Sequence, residues 1–134
     1  MSTLREVIAR VDEIKPNAFS DEIKVGWLNA LEGRIVVGVF QMRVAQAAAR
    51  MHSPDDLGQE LLVKFPHDDI YEAWLAAKVD FTNGEYEKYQ NSMAMYNELY
   101  EDFVQLIAMR YNPAQMETPE ERAALLEAYL ADEL

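Results

Sequence analysis

The sequence contains no cysteine among its 134 residues, and only five glycines and five prolines. Without cysteine there can be no disulfide bonds and no thiolate metal ligands, which agrees with synthesis in a reducing cytoplasm. No apolar run approaches the ~18 residues that span a bilayer, and the first residues are too charged for a signal peptide. These absences predict a soluble protein made in the cytoplasm, with no membrane partner.

Positive charge is also scarce, with 12 basic residues against 24 acidic ones and a net charge of −12. This balance argues against a general phosphate-binding surface, which needs Lys and Arg to neutralise phosphates. The acidic residues have two remaining interpretations. They form a solvated outer surface, or they repel DNA from a passage through which it must slide.

Signals of catalysis are lacking as well. Gly33 to Gly38 (GRIVVG) lacks the glycine spacing of a phosphate or dinucleotide loop, and no Gly-x-Ser-x-Gly or Ser-x-x-Lys motif is present. The only histidines, His52 and His67, stand in different predicted loops, and the two aspartates after His67 are interpreted as the start of a helix rather than as metal ligands. We therefore predict no enzyme activity, no cofactor and no metal.

Residues 68–112, by contrast, hold six of the seven tyrosines and have apolar residues at helical steps of three and four. The step of five from Phe81 to Tyr86 rotates this apolar stripe, so we predict a break near Gly84 between two helices; one helix of about 43 residues is the alternative. The predicted inward residues are Ile70, Trp74, Ala77 and Phe81, then Tyr89, Met93, Tyr96, Tyr100, Phe103 and Ile107.

Two further helices are predicted in the N-terminal part of the chain. The first covers residues 3–14, with Leu4, Val7, Ile8, Val11 and Ile14 on one stripe, and Pro16 ends it. The second begins after an N-cap at Ser20 and runs from Asp21 to about Met42, with Ile23, Trp27, Leu31, Ile35 and Val39 facing inward. A strand beginning at Ile35 is the alternative for its last part, and residues 43–52 extend the helix or form a short separate one.

We predict that two sets of residues on these helices contact neighbouring subunits. Gly26, Ala30 and Gly33 form a line of small residues that would let another helix approach closely, and the alternative is tolerated surface glycine. Tyrosine is enriched at subunit interfaces, although a stripe of this kind also marks an ordinary core face or, less often, a peptide or cofactor groove. The predicted interface residues are Gly26, Trp27, Ala30, Gly33, Tyr89, Met93, Tyr96 and Tyr100.

Residues 61–65 (LLVKF) form a short strand-like segment in the predicted all-α fold, a small bundle of four to five helices with a long helix pair in its C-terminal half. A single strand needs a partner for its backbone, so we expect it to pair elsewhere in the chain or with an adjacent subunit. Asp68 is the predicted cap of the helix that follows.

Residues 113–134 are predicted to be a C-terminal helical extension, separate from a domain at 1–112. Thr118 is the predicted N-cap, Pro119 occupies the first helical position and Glu121 completes a capping box. The helix is expected to reach Leu134 and either to fold back or to reach a partner. Its apolar side consists of Leu125, Leu126, Tyr129 and Leu130.

Taken together, LREVIARVDEIKPNAFSDEIKVGWLNALEGRI and ELLVKFPHDDIYEAWLAAKVDFTNGEYEKYQNSMAMYNELYEDF resemble the small head-tail connector (adaptor, or head-completion) proteins of tailed bacteriophages. The resemblance covers residues 4–111 apart from 41–58. It implies a structural virion protein at the head–tail junction, in a ring of about twelve copies beneath the portal protein. The ring would extend the DNA channel without binding DNA specifically, and would dock the next neck or tail-completion protein.

Under that resemblance, the apolar side of the C-terminal helix would dock on the portal or on the adjacent subunit. The alternative function is that of a small acidic phage or prophage regulator, which binds a basic host protein or mimics DNA.

Overall fold

Six α-helices form in the computed structural model of the chain, which describes residues 2–132. A π-helical turn at Ile35–Val39 follows the second helix, and a short 3-10 turn at Pro113–Gln115 precedes the last one. The all-α class is confirmed, with six helices rather than four to five. They are α1 (Leu4–Ile14), α2 (Asp21–Arg34), α3 (Val44–Ala48), α4 (Ile70–Thr82), α5 (Tyr86–Arg110) and α6 (Pro119–Ala131).

Local capping begins three of these helices. The hydroxyls of Thr3, Ser20 and Thr118 each accept a hydrogen bond from the backbone N–H three residues later. The predicted capping box of α6 is incomplete, because the Glu121 carboxylate accepts from the N–H of Glu117 instead of Thr118. The same helix ends at Ala131, short of the expected end at Leu134, which lies outside the described residues.

The predicted Asp68 cap is wrong. Asp69 occupies the N-cap position of α4, and the Asp68 carboxylate accepts a hydrogen bond of 2.7 Å from the Ser2 hydroxyl. The start of α4 is thus tied to the N-terminus of the chain, a contact that local sequence does not encode.

The break between α4 and α5 is confirmed at Gly84, whose φ of +76° lies in the left-handed region that favours glycine. The two helices pack against each other along the apolar stripes predicted for them. Two predicted inward residues near helix C-termini are nonetheless on the surface: the side chains of Ile14 and Phe81 are 70% and 53% exposed. Each stands at the last turn of its helix, where the neighbouring helix no longer covers it.

The second predicted helix differs from expectation in its end and its buried face. The α-helix stops at Arg34, and bonds of the i to i+5 type continue the chain to Val39. Ile23 is exposed and Trp27 half-buried, whereas Leu28 is fully buried. The predicted inward residues from Ile23 to Val39 are spaced four apart, and each step of four turns ~40° beyond a full rotation of the helix. Residues in such a row drift around the helix, so Ile23 at its start does not share the buried side with Leu31, Ile35 and Val39. Residues 43–52 form the short separate helix α3, not a continuation.

The predicted strand at 61–65 is not present within the described residues. Thr3 and Glu60 form an isolated antiparallel bridge, and the N–H of Leu61 donates to the Ser2 carbonyl at 2.8 Å. The next three N–H groups donate to side chains of this same chain. The extended segment therefore needs no adjacent subunit to satisfy its backbone.

A single apolar core joins all parts of the described chain. The interior contains residues of α1, α2, α4 and α5, together with Leu61 to Val63 of the extended segment. Helix α6 folds back onto this core: the Tyr129 ring lies 5.7 Å from Phe40 and 6.0 Å from Phe103, centroid to centroid. The C-terminal extension thus shares its core with the rest of the chain.

Candidate functional site

An open groove runs along the surface between α2, α4 and the first half of α5, and we call it the aromatic groove. One part is a hollow of about 570 Å³, and the adjoining part measures about 290 Å³. Arg34 lines both parts. The first part is lined chiefly by Gly33, Val37, Gly38, Tyr96 and Tyr100, and the second by Trp74, Lys78, Phe81, Tyr89 and Met93.

Trp74 forms the floor of this groove, where its side chain is only 2% exposed and is held by several contacts. Its indole Nε1–H donates to the Trp27 carbonyl at 2.7 Å, and the Tyr96 ring stands 5.0 Å away. Two cations cover the indole ring: the Arg34 guanidinium carbon is 5.0 Å and the Lys78 ammonium 4.6 Å from the ring centroid. Both positions are within the range of a cation–π contact.

Neither Arg34 nor Lys78 forms an ion pair with a carboxylate of residues 2–132. Both cations stand beside the same aromatic ring, in a chain with twice as many acidic as basic residues. They give the groove a local positive charge that is opposite in sign to the protein as a whole.

Aromatic side chains continue along the outer end of the groove. The Phe81 ring stands 5.1 Å from Tyr89 and 5.7 Å from Tyr86, and the Tyr86 side chain is 60% exposed. Large exposed aromatic surfaces of this kind mark contact sites more often than ordinary surface. The groove is therefore suited to contact another protein.

The hydroxyls of Tyr96 and Tyr100, in the first part of the groove, keep their protons at neutral pH. Burial, followed by the charge of neighbouring Tyr100, raises the pKa of Tyr96 to about 12, and burial likewise raises the pKa of Tyr100. The rings of Tyr96 and Tyr100 lie 5.6 Å apart, so the pair forms one amphipathic wall.

Five of the eight predicted interface residues line the groove: Gly33, Tyr89, Met93, Tyr96 and Tyr100. Gly26 and Ala30 lie on an exposed side of α2, and a side-chain carbon added at Gly26 or Gly33 would meet no atom within 4 Å. No helix of the described chain uses this small-residue surface. Trp27 packs edge-on against Phe19, with ring centroids 5.4 Å apart.

The prediction that the apolar side of the C-terminal helix docks on a partner fails for three of its four residues. Leu125, Leu126 and Tyr129 are buried in the core of their own chain, because α6 folds back, and only Leu130 stays half-buried at the surface. The Tyr129 ring packs against Phe40 and Phe103, and Leu125 and Leu126 are buried in the same core, so these three side chains do not form an open surface of the protomer.

A buried polar cluster was not foreseen from the sequence; we call it the Glu32 cluster. The Glu32 carboxylate accepts from the Leu62 N–H at 3.0 Å and from the Tyr71 hydroxyl at 2.8 Å, and its Oε1 lies 3.0 Å from His52 Nε2. The Tyr71 hydroxyl in turn accepts from the Val63 N–H at 2.7 Å. The sequence feature that could have predicted this cluster is the position of Glu32, an acidic residue one position after the predicted inward residue Leu31.

The Glu32 cluster supports the fold by giving the extended segment its hydrogen-bond partners. The hydrogen bond to Glu32 raises the pKa of His52, against the opposing effect of burial. Burial raises the pKa of Tyr71 well above its ordinary value, so this hydroxyl keeps its proton. Glu32 and His52 also line an open hollow of about 190 Å³, but the polar groups of the cluster are engaged with one another.

Residues 2–132 contain no group of three or more His, Asp or Glu side chains that could hold a metal ion. His67 lies against the Phe103 ring, 5.9 Å between centroids. None of the helices within these residues is both long and apolar enough to cross a membrane.

Comparison with known proteins found no match: no family model, no curated protein and no solved structure is significantly similar to this chain.

Proposed function

We propose that the chain is a structural subunit of a bacteriophage particle, a head–tail connector that assembles into a ring beneath the portal protein. The ring would extend the DNA channel and present a surface to the next neck or tail-completion protein. The observation that supports self-assembly is the aromatic groove, an open surface whose outer end exposes the Phe81 and Tyr86 rings.

Helix α5 supplies this support most directly. It has 25 residues, of which Tyr96, Phe103 and Ile107 are buried in the protomer, while its first half carries the half-buried Tyr89 and Met93 and the exposed Tyr86 and Met95. An exposed apolar surface of this kind is covered in the functional state, because leaving it in water forgoes the free energy of burial. A neighbouring copy would supply that cover in a ring.

The charge of the protein suits a passage for DNA. About twelve copies would surround the channel, each with a net charge of −12, and like charge would keep a polyanion from adhering during packaging and ejection. The chain's resemblance to connector proteins supplies the ring and its place at the head–tail junction.

The first test is the size of the purified protein over a concentration series, measured by light scattering after gel filtration and by negative-stain electron microscopy. A connector is expected to form closed rings. A protein that remains a monomer or dimer at every concentration, and that captures a basic host protein, would instead be the acidic regulator.

The second test changes the groove without touching the core. We expect Phe81→Ser combined with Tyr86→Ser to weaken association by about tenfold or more, because aromatic anchors dominate binding energy at interfaces. Both side chains are already exposed, so the melting temperature of the protomer should stay the same. The matched control is Met109→Ser, 85% exposed on the same helix but outside the groove. Equal association of the variant and the control would contradict the role of the groove.

A further inference from the structure

A second open surface lies on the other side of the α4–α5 pair, and we call it the acidic surface. It is a hollow of about 290 Å³ between α1, α4 and α5. Its apolar lining includes Ile14 and Met95, whose side chains are 70% and 60% exposed. Its charged lining consists of Asp69, Glu72 and Lys15; Glu72 already pairs with Arg10 and Lys15 with Asp80, so Asp69 is the carboxylate of this lining without an ion pair in residues 2–132.

The position of this surface follows from the geometry of α4. Trp74 lines the aromatic groove and Ala76 lines the acidic surface. Residues two apart on a helix point ~200° from each other, and adjacent residues such as Met95 and Tyr96 of α5 point ~100° apart, so the two surfaces lie on different sides of the α4–α5 pair. A subunit with two different contact surfaces on opposite sides can bind one neighbour on each side, which is the requirement for a closed ring.

The two surfaces are opposite in charge. Arg34 and Lys78 in the groove have no carboxylate partner within residues 2–132, and Asp69 forms no ion pair there either. The cations near the acidic surface are already engaged: Lys15 pairs with buried Asp80 at 3.0 Å, and Arg10 pairs with Glu72 and Glu6.

A cation placed near Asp69 would stabilise its charged carboxylate. Burial and the charge of neighbouring Asp68 together raise the pKa of Asp69 above its ordinary value. A positive group supplied by a second molecule would relieve that repulsion and would itself gain a partner.

Resting on the proposed ring assembly, we propose that the aromatic groove of one copy receives the acidic surface of the next copy. Arg34 and Lys78 then face Asp69 and Glu72 of the neighbour, while Phe81 and Tyr86 pack against its Ile14 and Met95. The contact is head to tail. A groove-to-groove pair is disfavoured, because it would bring the four cations of two copies together.

The test uses two full-length variants with reversed charge and their equimolar mixture. One variant contains Arg34→Glu and Lys78→Glu, so both of its surfaces are negative. The other contains Asp69→Lys and Glu72→Lys, so both of its surfaces are positive. We expect each variant alone to associate at least about tenfold more weakly than the unchanged protein. In the mixture the two variants should alternate around a restored ring, seen by light scattering and electron microscopy.

Two results would overturn the head-to-tail contact. One is normal self-assembly of the Asp69→Lys, Glu72→Lys variant, since a groove-to-groove contact leaves its interface unchanged. The other is a mixture that assembles no better than its components. If the unchanged protein itself stays monomeric, the proposed ring function fails together with this contact; if it assembles while the charge variants do so equally well, only the contact fails.

A milder pair of variants covers the case in which charge reversal disturbs folding. Ile14→Ser and Met95→Ser alter exposed side chains of the acidic surface, and Val44→Ser and Met109→Ser alter equally exposed side chains elsewhere. We expect the first pair to weaken association about tenfold or more and the second pair to leave it unchanged, with circular dichroism showing the same melting temperature for both. No difference in association between the pairs would also overturn the contact.

Discussion

At the scale of single residues, Glu32 has the most partners of any buried charge in the described chain. Its carboxylate binds the extended segment, Tyr71 and His52 at once. A buried charge is tolerated when hydrogen bonds compensate for its loss of water, and three donors meet that need here. One side chain thereby fixes the position of a segment 30 residues further along the chain.

The pair of His52 and Glu32 predicts a pH dependence of stability. Because the hydrogen bond to Glu32 raises the pKa of His52 in the folded protein, the proton binds more tightly there than in the unfolded chain. The added stability is complete below the unfolded pKa of about 6.5 and disappears as the pH rises through the higher folded pKa. The free energy of unfolding, measured with urea from about pH 6 to about pH 9, should therefore fall more steeply for the unchanged protein than for His52→Gln.

The control for this prediction is His67→Gln, which removes the other histidine. His67 contacts the Phe103 ring and forms no ion pair with a carboxylate within residues 2–132. This control should keep the slope of the unchanged protein. If the free energy of unfolding falls with pH equally steeply for His52→Gln and for the unchanged protein, then the contact with Glu32 does not raise the affinity of His52 for its proton.

At the scale of elements, glycine is favourable for stability at one position in the helical regions and unfavourable at another. Gly84 ends the α4–α5 turn with a φ of +76°, whereas Gly26 lies inside α2 with open space beside it. An L side chain is strained in the first conformation and favoured in the second.

Substitution by alanine should therefore destabilise the protein at Gly84 and stabilise it at Gly26. We expect Gly84→Ala to lower the free energy of unfolding by about 1–2 kcal/mol, and Gly26→Ala to raise it by about 0.5–1 kcal/mol. Urea unfolding of the protomer measures both. Two changes of the same sign would contradict the conformations described for these glycines.

The extended segment at Leu61 to Lys64 shows how an element can form without a regular partner. Its N–H groups donate to the Ser2 carbonyl, the Glu32 carboxylate and the hydroxyls of Tyr71 and Tyr129. The backbone of a buried segment must be satisfied, and here side chains from three helices do so in place of a second strand.

At the scale of the whole molecule, the last helix shares one apolar core with the rest of the described chain. Helix α6 covers Phe40 and Phe103, and the Tyr129 hydroxyl accepts from the buried N–H of Lys64 at 2.8 Å. Burial raises the pKa of Tyr129 to about 12, so the hydroxyl stays protonated through the neutral range.

A chain that ends at residue 112 should accordingly be less stable than the full chain. Leu125, Leu126 and Tyr129 are lost from the core, and each buried side chain of this size contributes about 1.5–3 kcal/mol. We expect a lower melting temperature, or the loss of a cooperative transition, by circular dichroism. An unchanged melting temperature for the shortened chain would show that α6 is a true appendage.

Tyr129→Phe, which leaves the Lys64 N–H without its acceptor, should lower the free energy of unfolding by about 1–3 kcal/mol.

Local chemistry allowed much of the helical framework to be predicted. The caps at Ser20 and Thr118 and the break at Gly84 depend on a few neighbouring residues, so the sequence by itself determined them. Trp74 and Lys78 are four residues apart on one helix, and their contact was also open to prediction from spacing.

Only the tertiary structure decided which surfaces are covered and which stay open. It brought Glu32 to Leu62, placed Arg34 over Trp74 and folded α6 onto Phe103. These contacts join residues 25 to 40 positions apart or in different helices, and no local preference selects among the many ways of burying the same apolar surface. The aromatic groove and the acidic surface are what that choice leaves exposed.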